Sequence, residues 1–137
     1  MAKRKYKRKK RKITTLLLYP FKSQLEKRIY EQIFKHFPNE KIKINQKGLI
    51  KNRKRLELDL YLPQYNIGIE IQGPVHTQNE KNIFNDYEKK KLFLNENNIR
   101  IIYIYTNNYQ VQKDSLQKCI NIINNKKRNC ENNNNNG

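Results

Sequence analysis

The spacing of apolar residues changes period several times along the chain, and each change marks an element. Leu25, Ile29, Ile33 and Phe37 recur at helical spacing, with Phe34 widening the stripe. "SQLE", Ser23 to Glu26, is a capping-box pattern, so the helix is expected to start on Ser23 as N-cap and to end at Pro38 and Asn39. "EKIKI", Glu40 to Ile44, alternates like a short strand, and "NQKGL" with Gly48 reads as a turn. Arg55 to Leu62 and Ile67 to Gln72 both alternate apolar with polar, which makes two strands around the turn "PQYN". Residues 80–97, with Ile83, Tyr87, Lys90, Lys91 and Leu94, predict an amphipathic helix with a basic face. "IRIIYIY", Ile99 to Tyr105, is nearly continuous in apolar residues, as suits a strand buried on both faces. Leu116, Ile120 and Ile123 place a last helix over 110–126.

The order is therefore α-β-β-β-α-β-α. Residues 67–105 form a β-α-β unit, which makes its two strands parallel. The expectation is an α/β fold, a mixed sheet with helices on both faces. Length allows one domain with a modest core, spanning 13–127. Residues 1–12 and the Asn-rich 128–137 are expected to be disordered tails. No apolar run approaches the ~18 residues of a membrane helix. "ITTLLLYPF", Ile13 to Phe21, follows a basic run but has no small-residue cleavage site after it, so an intracellular rather than secreted chain is expected. Cys119 and Cys130 are far apart and lack paired histidines, and so read as reduced thiols rather than a zinc site.

Charge changes the picture. Lys and Arg number 30 against 12 acids, for a formal net charge of +18. Residues 3–12 hold nine of those cations and no acid, and subtracting them still leaves +9 on the rest. Such an excess points to a polyanionic partner and, in the tail, to a phosphate-binding arm or a targeting signal. A coding bias toward A and T, visible in the joint abundance of Lys, Asn, Ile and Tyr, accounts for part of the lysine.

Against that background the polar face of the hairpin is unexpected. With the turn at Pro63 to Asn66, paired positions put Asp59 opposite Glu70 and Glu57 opposite Gln72, all four on one face, with Leu58, Leu60, Ile69 and Ile71 on the other. Cβ atoms of opposed residues stand ~4.5–5.5 Å apart. Two carboxylates at that separation repel unless a cation lies between them or one takes a proton. A divalent ion such as Mg²⁺ resolves the conflict, and can activate a water and offset charge on a phosphoryl oxygen. An ordinary solvated strand face, with lysines nearby, is the plain alternative.

The run "ELDLYLP…IGIEIQG…H", followed by "D…KK…L…NNIRIIYIY", resembles the PD-(D/E)XK nuclease superfamily, nearest to the very-short-patch-repair-like and phage homing-type endonucleases. The likeness covers about Ser23 to Tyr105. It implies a restriction-endonuclease-like α-β-β-β-α-β core with an added C-terminal helix. It implies a DNA endonuclease that hydrolyses phosphodiester bonds with a Mg²⁺-activated water, Mn²⁺ being an alternative ion. Asp59 and Glu70 would be metal ligands, with the Ile71 carbonyl a third and Glu26 completing the site, although the capping box alone also accounts for Glu26. Gln72 stands where the superfamily usually has lysine, so Lys89 or Lys90 would supply the missing charge. His76 would assist the leaving group or the water. Glu57 is either surface or an auxiliary acid. Asp86 is either a helix-surface partner of Lys90 or an outer acid, and His36 is structural. "IEIQGPVH" also resembles the RAP domain, which implies an RNA-binding module without catalysis. A basic ribosome-associated protein would explain the charge but not the acidic pair. The tail fits a nucleus or an organelle, and cutting of both strands would favour a homodimer.

Lys51, Arg53, Lys54, Arg55, Lys81 and Lys91 flank the acids in sequence and are candidates to hold phosphates without reading bases. Tyr61 and Tyr65 are candidates to stack. With about six such phosphate contacts, log affinity for duplex DNA falls with log salt at a slope near −5, a value that a binding titration across salt concentrations checks.

Overall fold

The computed structural model describes residues 19–73 and 80–135. Its elements are α1 (Gln24–His36), β1 (Lys43–Lys47), β2 (Glu57–Leu62), β3 (Ile67–Gln72), α2 (Glu80–Asn97), β4 (Arg100–Tyr105) and α3 (Tyr109–Asn135). The strands form one sheet in the order β1-β2-β3-β4. The β1–β2 and β2–β3 pairs are antiparallel and β3–β4 is parallel, so the sheet is mixed and the chain belongs to the α/β class. Among the described residues no helix is long and apolar enough to cross a membrane. The basic tail and His76 lie outside the described residues, as does the side chain of Lys81.

Ser23 caps α1 as expected. Its backbone is extended, at φ −153° and ψ 162°, and its hydroxyl accepts the Glu26 N–H at 3.1 Å. At the other end the Phe37 N–H still reaches Ile33 O at 3.0 Å, and Pro38 then stops the helix. Ile29, Ile33 and Phe37 are buried, whereas Phe34 is 44% exposed and stacks on Tyr30 instead of joining the core.

Two cores sandwich the sheet. α1 and α3 pack one face through Ile29, Ile33, Ile120 and Ile123 against Leu60, Leu62, Ile67, Ile69, Ile102 and Ile104. α2 covers the other face through Phe93, against Leu58, Tyr61, Ile99 and Ile101. The buried stripe of α2 differs from the expected one. Tyr87 and Leu94 are exposed, and the side turned to the sheet carries Phe93 with Lys89 one turn before it.

β1 is displaced from 40–44 to Lys43–Lys47, because Gln46 pairs with Leu58 and Lys47 with Glu57. Cross-strand pairing here outweighs the poor strand preference of Asn45 and Gln46. α3 runs on to Asn135 instead of ending near 126, so residues 128–135 of the segment expected to be disordered are helical. Contacts beyond 126 hold that extension. Lys127 pairs with Glu40 at 3.4 Å, Glu40 also accepts the Tyr65 hydroxyl at 2.8 Å, and Cys130 packs on the core.

β2 and β3 pair in the expected register, Leu62↔Ile67, Tyr61↔Gly68 and Leu60↔Ile69, but the ladder stops there. Leu58 and Leu60 share a parity yet belong to different cores, so β2 turns over between them and the expected common face of Leu58 and Leu60 is corrected. Asn45, on the neighbouring strand between the pairs Ile44↔Leu60 and Gln46↔Leu58, has a left-handed φ of 51° at the same level. Gly68 makes room for the turned-over leucine, since a Cβ there would lie 2.8 Å from Leu58 Cδ1. Gly68→Ala is therefore expected to cost about 1–3 kcal/mol through overpacking, measured by chemical denaturation, and a loss below a few tenths would refute this account of the crossing.

Candidate metal-binding acidic centre

Asp59 sits at the crossing point of β2, where the hairpin has opened. Its Oδ2 accepts the Ile71 N–H at 2.8 Å, so a side chain takes the place of the next ladder bond. Glu70, on β3, is 5% exposed, and its Oε1 accepts from Lys89 of α2. The same ammonium donates to the backbone carbonyl of Glu57. Lys89 thus ties the opened end of the hairpin to α2.

A third acid arrives from the opposite layer. Glu26, on α1, is 5% exposed, and its Oε1 has no hydrogen-bond partner. The rest of the carboxylate lies in reach of the Lys22 backbone N–H and the Asn45 amide. Ser23 receives the Glu26 backbone, but the Glu26 side chain turns inward toward Asp59, so the cap explains only the backbone of this residue. Gln72 is 6% exposed, and its Oε1 is likewise buried without a partner. Glu57 leaves the face it was expected to share with Glu70. Its carboxylate pairs with Lys22 and, at 3.6 Å, with Lys47.

Burial and crowding set the protonation of this group. Glu70 is pushed up to about 8, first by burial and then by the neighbouring Asp59, with Lys89 opposing both. Glu26 is raised as well, by burial and then by Asp59, against Lys22. Asp59 is therefore the acid through which the two others feel each other. Tyr103, beside Glu70 in the parallel β3–β4 ladder, is also raised, by burial first and then by the acids around it.

Among the described residues, no group of three or more His, Cys, Asp or Glu side chains is already arranged to hold a metal ion. The donor set nonetheless suits a hard cation. It consists of carboxylate and carboxamide oxygens, with Glu26 Oε1, Asn45 Oδ1 and Gln72 Oε1 buried and without partners, and with a pair of mutually repelling acids.

Of the two candidate lysines, Lys89 reaches the acids, whereas Lys90 lies over the Tyr103 ring, 5.9 Å from its centroid. Lys51, Arg53, Lys54 and Arg55 are exposed in the β1–β2 connection, which enters β2 at Glu57, the end of that strand nearest Asp59. Lys91 is exposed on α2. His36 bonds its own helix, with Nδ1 2.9 Å from Gln32 O. Of the tyrosines expected to stack, Tyr61 and Tyr65 are both buried. Lys22 and Asn45 belong to the site and were not read from the sequence. The signal for Lys22 was its place one helical turn before Glu26. Asn45 gave none until strand pairing set it across from the Asp59 level.

No protein-family model, no curated protein and no solved structure matches the chain.

An acid whose value is raised on folding makes the folded state bind more protons than the unfolded one, so stability falls as pH rises between the two values. For Glu70 that window runs from 4.5 to about 8. In EDTA, the melting temperature of the wild type should drop across this window more steeply than that of Glu70→Gln. Mg²⁺ should raise it more at pH 8 than at pH 5. Parallel pH profiles for the two proteins would refute the burial of a strained carboxylate here.

Proposed function

We propose that the chain is a metal-dependent endonuclease of the PD-(D/E)XK type, hydrolysing phosphodiester bonds in DNA. The observation that carries this reading is the joint burial of Glu26 and Glu70 around Asp59, with Gln72 buried two residues beyond Glu70 on the same strand, in a chain of net charge +18. Burying carboxylates and an amide without full partners costs stability, and a purely structural role gives no return for it. The resemblance of "ELDLYLP…IGIEIQG" supplies the class. A restriction-endonuclease-like arrangement accounts for a helix glutamate, a hairpin acid pair and a lysine meeting at an opened strand end.

Asp59 and Glu70 would hold Mg²⁺ or Mn²⁺, with Glu26 completing the shell and the Ile71 carbonyl as a further ligand. A bound ion supplies an activated water and offsets negative charge on a phosphoryl oxygen. The protein's own residues do the rest. Burial of Glu70 favours any cation that relieves its repulsion from Asp59. Gln72 fills the usual lysine position with a neutral amide, and Lys89 brings the charge from α2 to the same carboxylate. Its ammonium is placed to orient the attacking water or to face the charge that develops on the phosphate. The cations at 51–55 would grip the flanking backbone without reading bases. A homodimer would bring two such centres to a duplex.

A binding module without catalysis, of the RAP-like kind and directed to RNA, is the second reading. It is favoured by Lys89 already neutralising Glu70 and by the absence, among the described residues, of a ready trio of ligands.

Incubation with branched, mismatched and plain duplexes in Mg²⁺ or Mn²⁺ separates the two. Cleavage should fall by at least about 100-fold in Asp59→Ala and Glu70→Ala, and by about 100-fold in Lys89→Ala. Binding without cutting, indifferent to metal and to these variants, would replace the enzyme with the binding module.

A further inference from the structure

We propose that the outer edge of β4 is a track for single-stranded nucleic acid, with unpaired bases lying on the Tyr103–Tyr105 pair and phosphates held by Lys90, Arg100 and Lys118. The proposal deepens the nuclease reading by naming its substrate class, and rests on that reading only for where the strand leads.

β4 pairs with β3 alone, so its other edge faces outward. Two hollows lie along that edge. The first, about 440 Å³, is lined by Lys90, Arg100, Tyr103, Tyr105 and Lys118, with Asp114 as its one acid. Three cations against that one acid leave the lining net positive. The second hollow, about 260 Å³, is lined by Asn66, Asn98, Asn125, Asn129 and Lys126. Arg100 and Ile122 line both, so the hollows join into one groove.

Three cations in the first part, and four amides with Arg100 and Lys126 in the second, suit a chain of phosphates and bases better than a compact anion. The aromatic pair narrows the class further. Tyr103 and Tyr105 stack with centroids 6.3 Å apart and planes at 28°, and Tyr105 is 39% exposed. A base inside a duplex has both faces covered by its neighbours and offers only its edges, so an open ring selects unpaired bases. Lys90, over the Tyr103 ring, adds positive charge where base and phosphate meet. Tyr103 is the β4 partner of Glu70, so the aromatic pair stands one strand away from the acids.

The test uses the full chain in EDTA, with fluorescence anisotropy on labelled oligo-dT of about twelve nucleotides and on a duplex of equal length. Tyr105→Ala should weaken oligo-dT binding about tenfold and leave the duplex within twofold, and Tyr105→Phe should restore it. Arg100→Ala and Lys118→Ala should weaken the single strand more than the duplex. A parallel oligo-U arm identifies whether the track takes DNA or RNA. Equal loss on single strand and duplex, or no loss in any variant, would overturn the proposal. Intact selective binding with no cleavage in Mg²⁺ would leave it standing and remove the nuclease reading instead.

Discussion

Repulsion between carboxylates under burial is the constraint from which the rest of this structure follows. Asp59 acts on Glu70 from one side and on Glu26 from the other, and the two outer acids are almost wholly withdrawn from water. In water such charges would interact weakly, but in a protein interior the same separation is several times more costly. The fold answers with two lysines. Lys89 approaches from α2 and pairs with Glu70, and Lys22, from the segment before α1, pairs with Glu57 while its charge also favours ionised Glu26. Neither removes the strain entirely, as the upward displacement of Glu70 and Glu26 records.

Local backbone geometry makes this crowding attainable. A regular hairpin would carry its ladder past the acids, whereas here β2 turns over at Asp59 and the side chain takes up the Ile71 amide. The consequence is that groups from both layers reach one place. Glu26 comes from the α1 side and Lys89 from the α2 side, although the sheet separates the two cores elsewhere.

Much of this was legible in the chain. The element order, the hairpin register and the parallel β3–β4 pair follow from period-two alternation and from the β-α-β spacing. Asp59 and Glu70 stood out because acids on a strand face are improbable in so basic a sequence. What was missed has one common cause. Reading apolar residues as the buried stripe of α2 chose Tyr87 and Leu94, which are exposed, whereas the sheet-facing side is partly polar, since Lys89 answers Glu70 there. Periodicity cannot see a polar core, because the partner that justifies it lies on another element. The same applies to Leu58, whose parity gave the wrong face, since nothing local announces that a strand rotates. The continuation of α3 into an Asn-rich run was hidden for a related reason. Asparagine is a weak helix former, and the contacts of Lys127 and Cys130 override that preference from a distance.

The crossing of β2 also bears on how such a chain can change over time. In most layered folds, each layer can be repacked with little regard for the other. Here consecutive turns of one strand lodge Leu58 in one layer and Leu60 in the other, with Asp59 as the pivot between them. A shift in either layer is transmitted to the angle at which that aspartate meets its neighbours. The two hydrophobic layers are thus coupled through this segment of the second strand.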